Sequence, residues 1–266
     1  MRIATWNVNS IKQRLDSAVA WLGERQPDIV CLQETKCVDD AFPREPFESL
    51  GYNLAIHGQK TFNGVALLSK FPFDEVSMGL PGDDQDDHAR FIEGVVSTAH
   101  GVVRIASIYL PNGNPAGTEK YPYKIGWMKR LFAYARERLS LQEPLVLAGD
   151  YNVIPTTADA RNPQAWVDDA LFLPRTRNEF RALINLGLTD AVRATSDEPG
   201  LYTFWDYQAG AWLKNNGIRI DHALLSPEAA DRLTGVGIDR HVRSWEKPSD
   251  HVPVWLDLAI EPPTQS

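Results

Sequence analysis

Short apolar runs bounded by turn residues recur along the chain and predict roughly ten β-strands. A few longer segments carry apolar residues at helical spacing, and these predict amphipathic helices. Strands and helices do not alternate regularly, which favours mixed or antiparallel sheets over a wholly parallel sheet. The pattern alone therefore predicts two packed sheets with helices on the outside.

Turn-forming residues separate the predicted elements. Strands are expected at residues 1–7, 28–32, 52–57, 64–69, 73–78, 91–98, 102–109, 145–149 and 252–260, and strand-like segments at 202–207 and 217–222. Helices are expected near residues 11–22, 121–139 and 180–187. Ser10 and Gln13 form a capping-box pattern that would begin the first helix directly after Ser10.

Carboxylate and amide side chains follow the ends of several of these strands. Asp150 and Asn152 come directly after the apolar run that ends at Gly149, and residues two apart in an extended chain point to the same side. Glu34 follows the strand at 28–32 in a similar way. Each residue alone also fits a turn or a helix cap, so no single motif establishes a site.

The chain has 266 residues and no Ser-, Gly- or Pro-rich linker, so we expect a single domain at residues 1–260 and a disordered tail at 261–266. No apolar run has the length of a membrane span, and the N-terminus lacks the apolar stretch of a signal peptide. We therefore expect a cytoplasmic protein with no membrane partner, and a monomer as the simplest assembly. Cys31 and Cys37 suit free thiols.

Charge leaves the class of partner open. A net charge of −8, taken alone, argues against a nucleic-acid partner. An enzyme that gathers carboxylates around a divalent cation would also have an acidic composition, however, and the basic residues are clustered. One cluster lies on the polar side of the predicted helix at 121–139, at Lys124, Lys129 and Arg130.

Polar residues at or near strand termini form the candidate site. They are Asn7, Glu34, Tyr109, Asp150, Asn152, Asp221, Asp250 and His251. Carboxylates and amides without paired cysteines suit a hard, oxygen-preferring ion such as Mg²⁺ or Mn²⁺. A histidine beside an acid can be oriented and kept charged, or it can act as a base. Hydrolysis of a phosphate ester needs such groups, although sequence spacing alone does not bring them together.

Seven short blocks span nearly the whole chain. They are WNVNSI at 6–11, LQETK at 32–36, YLPNG at 109–113, GDYN at 149–152, TFWDY at 203–207, RID at 219–221 and SDH at 249–251. Their identity and order resemble the exonuclease III family of AP endonucleases, within the endonuclease/exonuclease/phosphatase superfamily. The resemblance implies an α/β fold, a four-layer sandwich in which two mixed sheets lie face to face between helices, in agreement with the apolar pattern.

The resemblance also implies a divalent cation at these strand ends. Glu34 would be its principal ligand, and the ion would be Mg²⁺, with Mn²⁺ as a substitute. The other implied ligands are Asn7, Asp150, Asn152 and Asp250.

Catalytic roles follow from the same resemblance. Asp150 would activate or orient the attacking water, and Asn152 would position that water and stabilise the transition state. Asp221 would hold His251, which would contact the scissile phosphate. Tyr109 and Asn112 would also contact the scissile phosphate. The resemblance leaves open whether Asp150 or His251 accepts the proton, and we favour Asp150 because a carboxylate near a cation is ionised at neutral pH.

The implied substrate is double-stranded DNA with an abasic site or a 3′ end. Phe204 and Trp205 would wall a pocket for the flipped-out deoxyribose, and flipping costs least where no base is stacked or paired. Arg90 and Lys124 would contact backbone phosphates, which gives affinity without reading sequence. The implied activities are cleavage 5′ to abasic sites and removal of nucleotides and blocking groups from 3′ ends.

Two other functions stay open from the sequence. The chain could be a phosphoesterase of the same superfamily that acts on inositol phosphates, lipids or RNA tails, although the blocks at 109–113 and 203–207 favour DNA repair. It could also be a non-catalytic nucleic-acid-binding protein on the same fold. Retention of Glu34, Asp150 and His251 argues against that alternative.

Overall fold

Twelve strands form two six-stranded sheets in the computed structural model, which describes residues 1–263. In chain order the strands are β1 (Arg2–Asn7), β2 (Ile29–Gln33), β3 (Asn53–His57), β4 (Val65–Ser69), β5 (Glu75–Met78), β6 (Phe91–Thr98), β7 (Gly101–Tyr109), β8 (Leu145–Asp150), β9 (Thr189–Asp190), β10 (Asp221–Leu225), β11 (Leu233–Ile238) and β12 (Val254–Leu258). The helices are α1 (Leu15–Arg25), α2 (Arg44–Glu48), α3 (Lys120–Leu139), α4 (Pro174–Asn185), α5 (Ala191–Thr195) and α6 (Pro227–Ala230). Short 3₁₀ turns lie at Asp39–Ala41, Thr157–Asp159, Pro163–Trp166 and Arg240–Ser244.

Both sheets are mixed. The first has the order β11-β12-β1-β2-β4-β3, and the second has the order β5-β6-β7-β8-β10-β9. One central pair in each sheet is parallel, β1 with β2 and β7 with β8, and the other pairs are antiparallel. The predicted pair of mixed sheets is therefore confirmed.

Apolar side chains pack the two sheets together and attach helices to their outer faces. Ile3 and Leu67 of the first sheet share one buried cluster with Ile105 of the second, which forms the central layer of contact. Trp21 of α1 packs on the outer face of the first sheet, and Leu131 of α3 packs on the outer face of the second. The order helix, sheet, sheet, helix is the predicted four-layer sandwich.

The parallel pairs bring polar strand ends to one edge of the sandwich. β1 ends at Asn7 and β2 leads directly into Glu34, so both side chains leave the first sheet at the same edge. β7 and β8 end in register at Tyr109 and Asp150. β10 runs antiparallel to β8 and starts opposite Asp150, at Asp221.

Gly149 lets β8 lie close to β7 next to this edge. A Cβ atom at this position would lie 1.9 Å from the carbonyl oxygen of Ile108, which no side chain tolerates. A glycine is therefore required immediately before Asp150, and it fixes the strand end from which that carboxylate projects.

The predicted start of the first helix is wrong. α1 begins at Leu15, and no side chain caps its first turn. The main chain before it bonds instead to the segment after β2, since the Ser10 and Ile11 amides donate to the carbonyls of Glu34 and Thr35. Ser10 takes a left-handed conformation with φ 85°, which is incompatible with an N-cap.

One other stretch departs from the predicted pattern. Residues 202–207 form isolated bridges through Phe204 in place of a strand. The predicted disordered tail at 261–266 lies partly outside the described residues, which end at residue 263. Within the described chain, every helix is too short or too polar to cross a bilayer.

Candidate active site

Three polar side chains from three strand ends meet where the sheets come together. The Asn7 Nδ2 amide donates to Glu34 Oε1 and to Asp150 Oδ2, at 2.9 Å in both cases. Asn7 is fully buried, so its amide joins a carboxylate of the first sheet to one of the second. Two acidic groups that are 116 positions apart in sequence, positions 34 and 150, thereby face one space.

A second chain of contacts runs through the histidine. Thr203 Oγ1 donates to Asp221 Oδ2 at 2.6 Å, and Asp221 Oδ2 lies 2.8 Å from His251 Nδ1. His251 Nε2 then lies 3.6 Å from Asp150 Oδ2. The half-buried ring of Phe204 packs edge-on against the imidazole, with centroids 5.0 Å apart. The imidazole is thus fixed in orientation between two carboxylates.

Burial and neighbouring charges set the protonation of these groups. Burial raises the pKa of Asp150, an effect that His251 opposes and Asp221 reinforces. Burial alone would lower the pKa of His251, but Asp221 and Asp150 raise it overall. His251 therefore carries its proton at neutral pH, held chiefly by Asp221. For Glu34, burial would raise the pKa, but Lys36 and Asn7 lower it overall, so Glu34 is ionised.

The donor atoms suit a hard divalent cation. One ligand atom each from Glu34, Asp150 and His251 lies within 4.8 Å of the other two. The protonated His251 would donate a hydrogen bond and would not ligate, which leaves two carboxylates as candidate ligands. Carboxylate oxygens without a nearby thiolate favour Mg²⁺ or Mn²⁺ over softer metals. Asp250 lies outside this group, and its Oδ1 accepts from the Asn9 amide at 3.1 Å.

Tyr109 and Arg90 form one wall of the site. Burial raises the pKa of Tyr109, and the carboxylates of Glu34 and Asp150 raise it further, so the phenol stays protonated and can donate. The Arg90 guanidinium lies over the Tyr109 ring, 4.8 Å from its centroid. Arg90 also donates to the Tyr109 carbonyl at 3.3 Å. The two residues therefore support each other beside the carboxylates.

Asn112 and Asn152 bond to each other beside Asp150. The exposed Asn112 donates from Nδ2 to Asn152 Oδ1 at 3.1 Å. Asn152 donates from Nδ2 to the Leu110 carbonyl at 2.9 Å, and its main-chain amide donates to Asp150 Oδ1 at 2.9 Å. Asn152 therefore holds the Asp150 carboxylate from the side away from Asn7.

The prediction that Lys124 meets DNA phosphates on an exposed basic face is wrong. Its side chain is fully buried, and burial lowers its pKa to about 7. Its ammonium donates to main-chain carbonyls inside the protein, because the polar side of the predicted helix packs against the loops that end β7 and β8. Arg130 pairs with Asp86 at 2.7 Å, so only Lys129 of the predicted basic cluster is exposed.

The prediction that Trp205 walls a substrate pocket is also wrong. Trp205 is fully buried and packs edge-on against Trp212, with centroids 4.9 Å apart. Its indole N–H donates to Asn215 Oδ1 at 3.2 Å, and this bond helps to hold the ring inside the protein. Phe204 alone of the predicted pair borders His251.

Sequence reasoning missed two residues that hold the site together. Lys36 Nζ lies 2.9 Å from Glu34 Oε2 and donates to Asn9 Oδ1 at 2.5 Å, which restrains the carboxylate. Thr203 anchors Asp221 and also accepts from two main-chain amides. Lys36 lies in the block at 32–36 and Thr203 in the block at 203–207. Their presence in these blocks was the one feature of the sequence that could have indicated a role at the site.

Comparisons with known proteins agree with this geometry. The endonuclease/exonuclease/phosphatase family model matches residues 4–251. The chain is 34% identical to exodeoxyribonuclease III of Haemophilus influenzae, over 97% of this chain and 100% of that protein. It is 32% identical to the DNA repair nuclease APEX1 of Danio rerio, over 98% of this chain and 83% of that protein.

Two solved structures superimpose closely on the fold. The 3′ phosphatase NExo from Neisseria, solved with a product DNA hairpin, has a TM-score of 0.93 at 37% identity and covers 97% of this chain and 99% of its own. An AP endonuclease from Archaeoglobus fulgidus has a TM-score of 0.92 at 35% identity, with coverage of 97% and 99%. The chain therefore belongs to the endonuclease/exonuclease/phosphatase family, in its group of exodeoxyribonucleases III and AP endonucleases, as the sequence motifs predicted.

Proposed function

We propose that this protein is a Mg²⁺-dependent DNA repair nuclease that cleaves phosphodiesters 5′ to abasic sites and trims 3′ ends of duplex DNA. The observation that carries the proposal is the meeting of Glu34, Asp150 and His251 within 4.8 Å. Hydrolysis of a phosphodiester needs a group to activate water and donors to steady the phosphoryl oxygens. This site contains both kinds of group.

Asp150 is the best candidate for the proton acceptor. Its carboxylate is held by Asn7 and by the Asn152 amide, which leaves it oriented toward the shared space. His251 carries a proton already, so it can donate to a phosphoryl oxygen but cannot accept from water. This difference supports Asp150 over His251 in the role that the sequence left open.

The remaining polar groups would bind the phosphate. Protonated His251 and the Tyr109 phenol offer charged and neutral donors, and Asn112 offers an amide at the rim. Glu34 and Asp150 would hold Mg²⁺, which would offset negative charge on the phosphoryl oxygens when bound. Phe204 and Arg90 would contact the sugar and a neighbouring phosphate. These roles match the donor and acceptor character of each group.

DNA is the proposed substrate because of the chain's similarity to the relatives described above. Relatives over nearly the full chain are named as an exodeoxyribonuclease III, an AP endonuclease and a 3′ phosphatase bound to product DNA. Binding of duplex DNA would have to overcome the net charge of −8, so contacts near Arg90 and bound cations matter. We therefore expect affinity to fall steeply as salt rises.

A labelled duplex with one abasic site tests the proposal. The expected result is a nick 5′ to the lesion with Mg²⁺, none with a chelator, and restored cleavage when Mn²⁺ is added. A matched duplex without the lesion serves as the control for non-specific cutting. An inert abasic duplex alongside turnover of a phosphorylated small molecule would favour the superfamily alternative. Tight binding without cleavage would favour the non-catalytic alternative.

A further inference from the structure

Lys124 joins two loops of the active site from inside the protein. Its Nζ donates to the main-chain carbonyl of Asn112 at 3.1 Å and to that of Asn152 at 2.5 Å. The two loops follow the parallel strands β7 and β8, so one ammonium group fixes the separation of the segments beyond both strand ends. The side chain reaches them from α3 and has no exposed surface.

The two carbonyls belong to residues whose side chains form one wall of the active site. Asn112 and Asn152 bond to each other through their side chains, and Asn152 also holds Asp150. Asn152 takes a left-handed conformation with φ 48°, which costs free energy unless surrounding contacts maintain it. The hydrogen bond from Lys124 is one of the contacts that maintain this conformation.

A lysine is a costly choice for this interior position. Burial of an ammonium group is unfavourable unless hydrogen bonds compensate, and an apolar side chain would fill the same space without that penalty. Gly113 makes room for the lysine, because a Cβ atom there would lie 2.6 Å from Lys124 Cδ. The room left by Gly113 thus lets the ammonium group of Lys124 reach the carbonyls of Asn112 and Asn152.

We propose that Lys124 is a positioning residue for hydrolysis, acting through the main chains of Asn112 and Asn152. The inference rests on the proposed function and extends it, because Lys124 touches neither the substrate nor the candidate metal ligands Glu34 and Asp150. It aligns the Asn112 amide for the phosphate and keeps Asn152 against the carboxylate of Asp150.

The test compares Lys124→Met with Lys129→Met, which removes an exposed lysine from the same helix. Both chains are assayed on the abasic duplex well below their melting midpoints. We expect kcat for Lys124→Met to fall roughly 10- to 100-fold, as small misplacements of active-site groups do. DNA affinity, measured with a chelator, is expected to stay within about twofold of wild type, since no phosphate contact is removed. Lys129→Met should keep kcat.

A double-mutant cycle with Asn112→Ala separates positioning from general loss of stability. If Lys124 acts through Asn112, the Asn112→Ala substitution lowers kcat less in the Lys124→Met background than in wild type. Independent, additive effects on kcat would overturn the inference, as would a folded Lys124→Met chain with wild-type kcat. If the methionine variant does not fold, Lys124→Gln, which keeps one donor group, takes its place in the cycle.

Failure of this inference is distinguishable from failure of the proposed function. A wild-type chain that leaves the abasic duplex intact would overturn both. A wild-type chain that cleaves, beside a Lys124→Met chain that cleaves equally fast, would overturn the role of Lys124 alone.

Discussion

Replacement of Asp150 by Asn is expected to lower kcat on an abasic duplex by roughly 10³-fold. The amide cannot accept a proton from water, and it also removes the charge that faces His251 at 3.6 Å. Burial raises the pKa of Asp150, which means that the ionised carboxylate is itself unfavourable in this interior. The variant should therefore fold at least as well as wild type, and the loss of kcat should persist at saturating Mg²⁺, where weaker metal binding no longer limits the reaction.

The control for this substitution is Asp84→Asn, which changes an exposed carboxylate in the loop between β5 and β6. It should keep full activity. DNA binding in chelator should survive in both variants, because neither change removes a proposed phosphate contact. Retention of wild-type kcat by Asp150→Asn would contradict the assigned proton acceptor and leave His251 to be tested in that role.

Replacement of Arg219 by Met is expected to lower the free energy of unfolding by about 3–5 kcal/mol. Arg219 is almost fully buried and pairs with Asp159 at 2.6 Å and with Asp190 at 2.8 Å. Methionine would fill most of the space but would leave buried carboxylates short of a partner. Thermal denaturation should show the melting midpoint lower by roughly 10 °C.

The same network predicts how stability depends on pH. Burial alone would raise the pKa of Asp159, but Arg219 and Arg193 lower it from 3.8 to about 2. A carboxyl with a depressed folded-state pKa stabilises the fold above its unfolded value, and this contribution is lost as the pH falls from 3.8 toward 2. In Arg219→Met the pKa of Asp159 is depressed less, so the stability lost between pH 3.8 and 2 should be smaller than in wild type. Equal stability of the two chains at neutral pH would contradict the account of this network.

Much of the fold follows from local sequence pattern. Strands such as β2 and β8 are continuous apolar runs because both of their faces are covered, and such runs are recognisable. β11 was not predicted, since Gly235 and Gly237 interrupt its apolar pattern. The start of α1 was misplaced because main-chain pairing with residues 34 and 35 prevails over the local capping signal. Contacts between residues distant in sequence are not indicated by the local residue pattern.

The active site was foreseen in its residue types and only partly in its arrangement. Polar residues at strand ends were correctly expected to lie at the sheet edge, but only the order of the seven blocks indicated that they meet. Lys124 and Trp205 were misassigned for one physical reason. Loops around 112, 152 and 212 cover both side chains, and neither the polar side of a predicted helix nor the resemblance of a sequence block indicates that covering.

The central claim is that the carboxylates of Glu34 and Asp150 together hold one divalent cation. Titration of the protein with Mn²⁺, followed by electron paramagnetic resonance, tests it most directly, with Glu48→Gln as the control for loss of an exposed carboxylate. The account predicts Mn²⁺ binding by wild type and Glu48→Gln, and binding at least tenfold weaker in Glu34→Gln and Asp150→Asn. Unchanged Mn²⁺ affinity in both of the last two variants would contradict it.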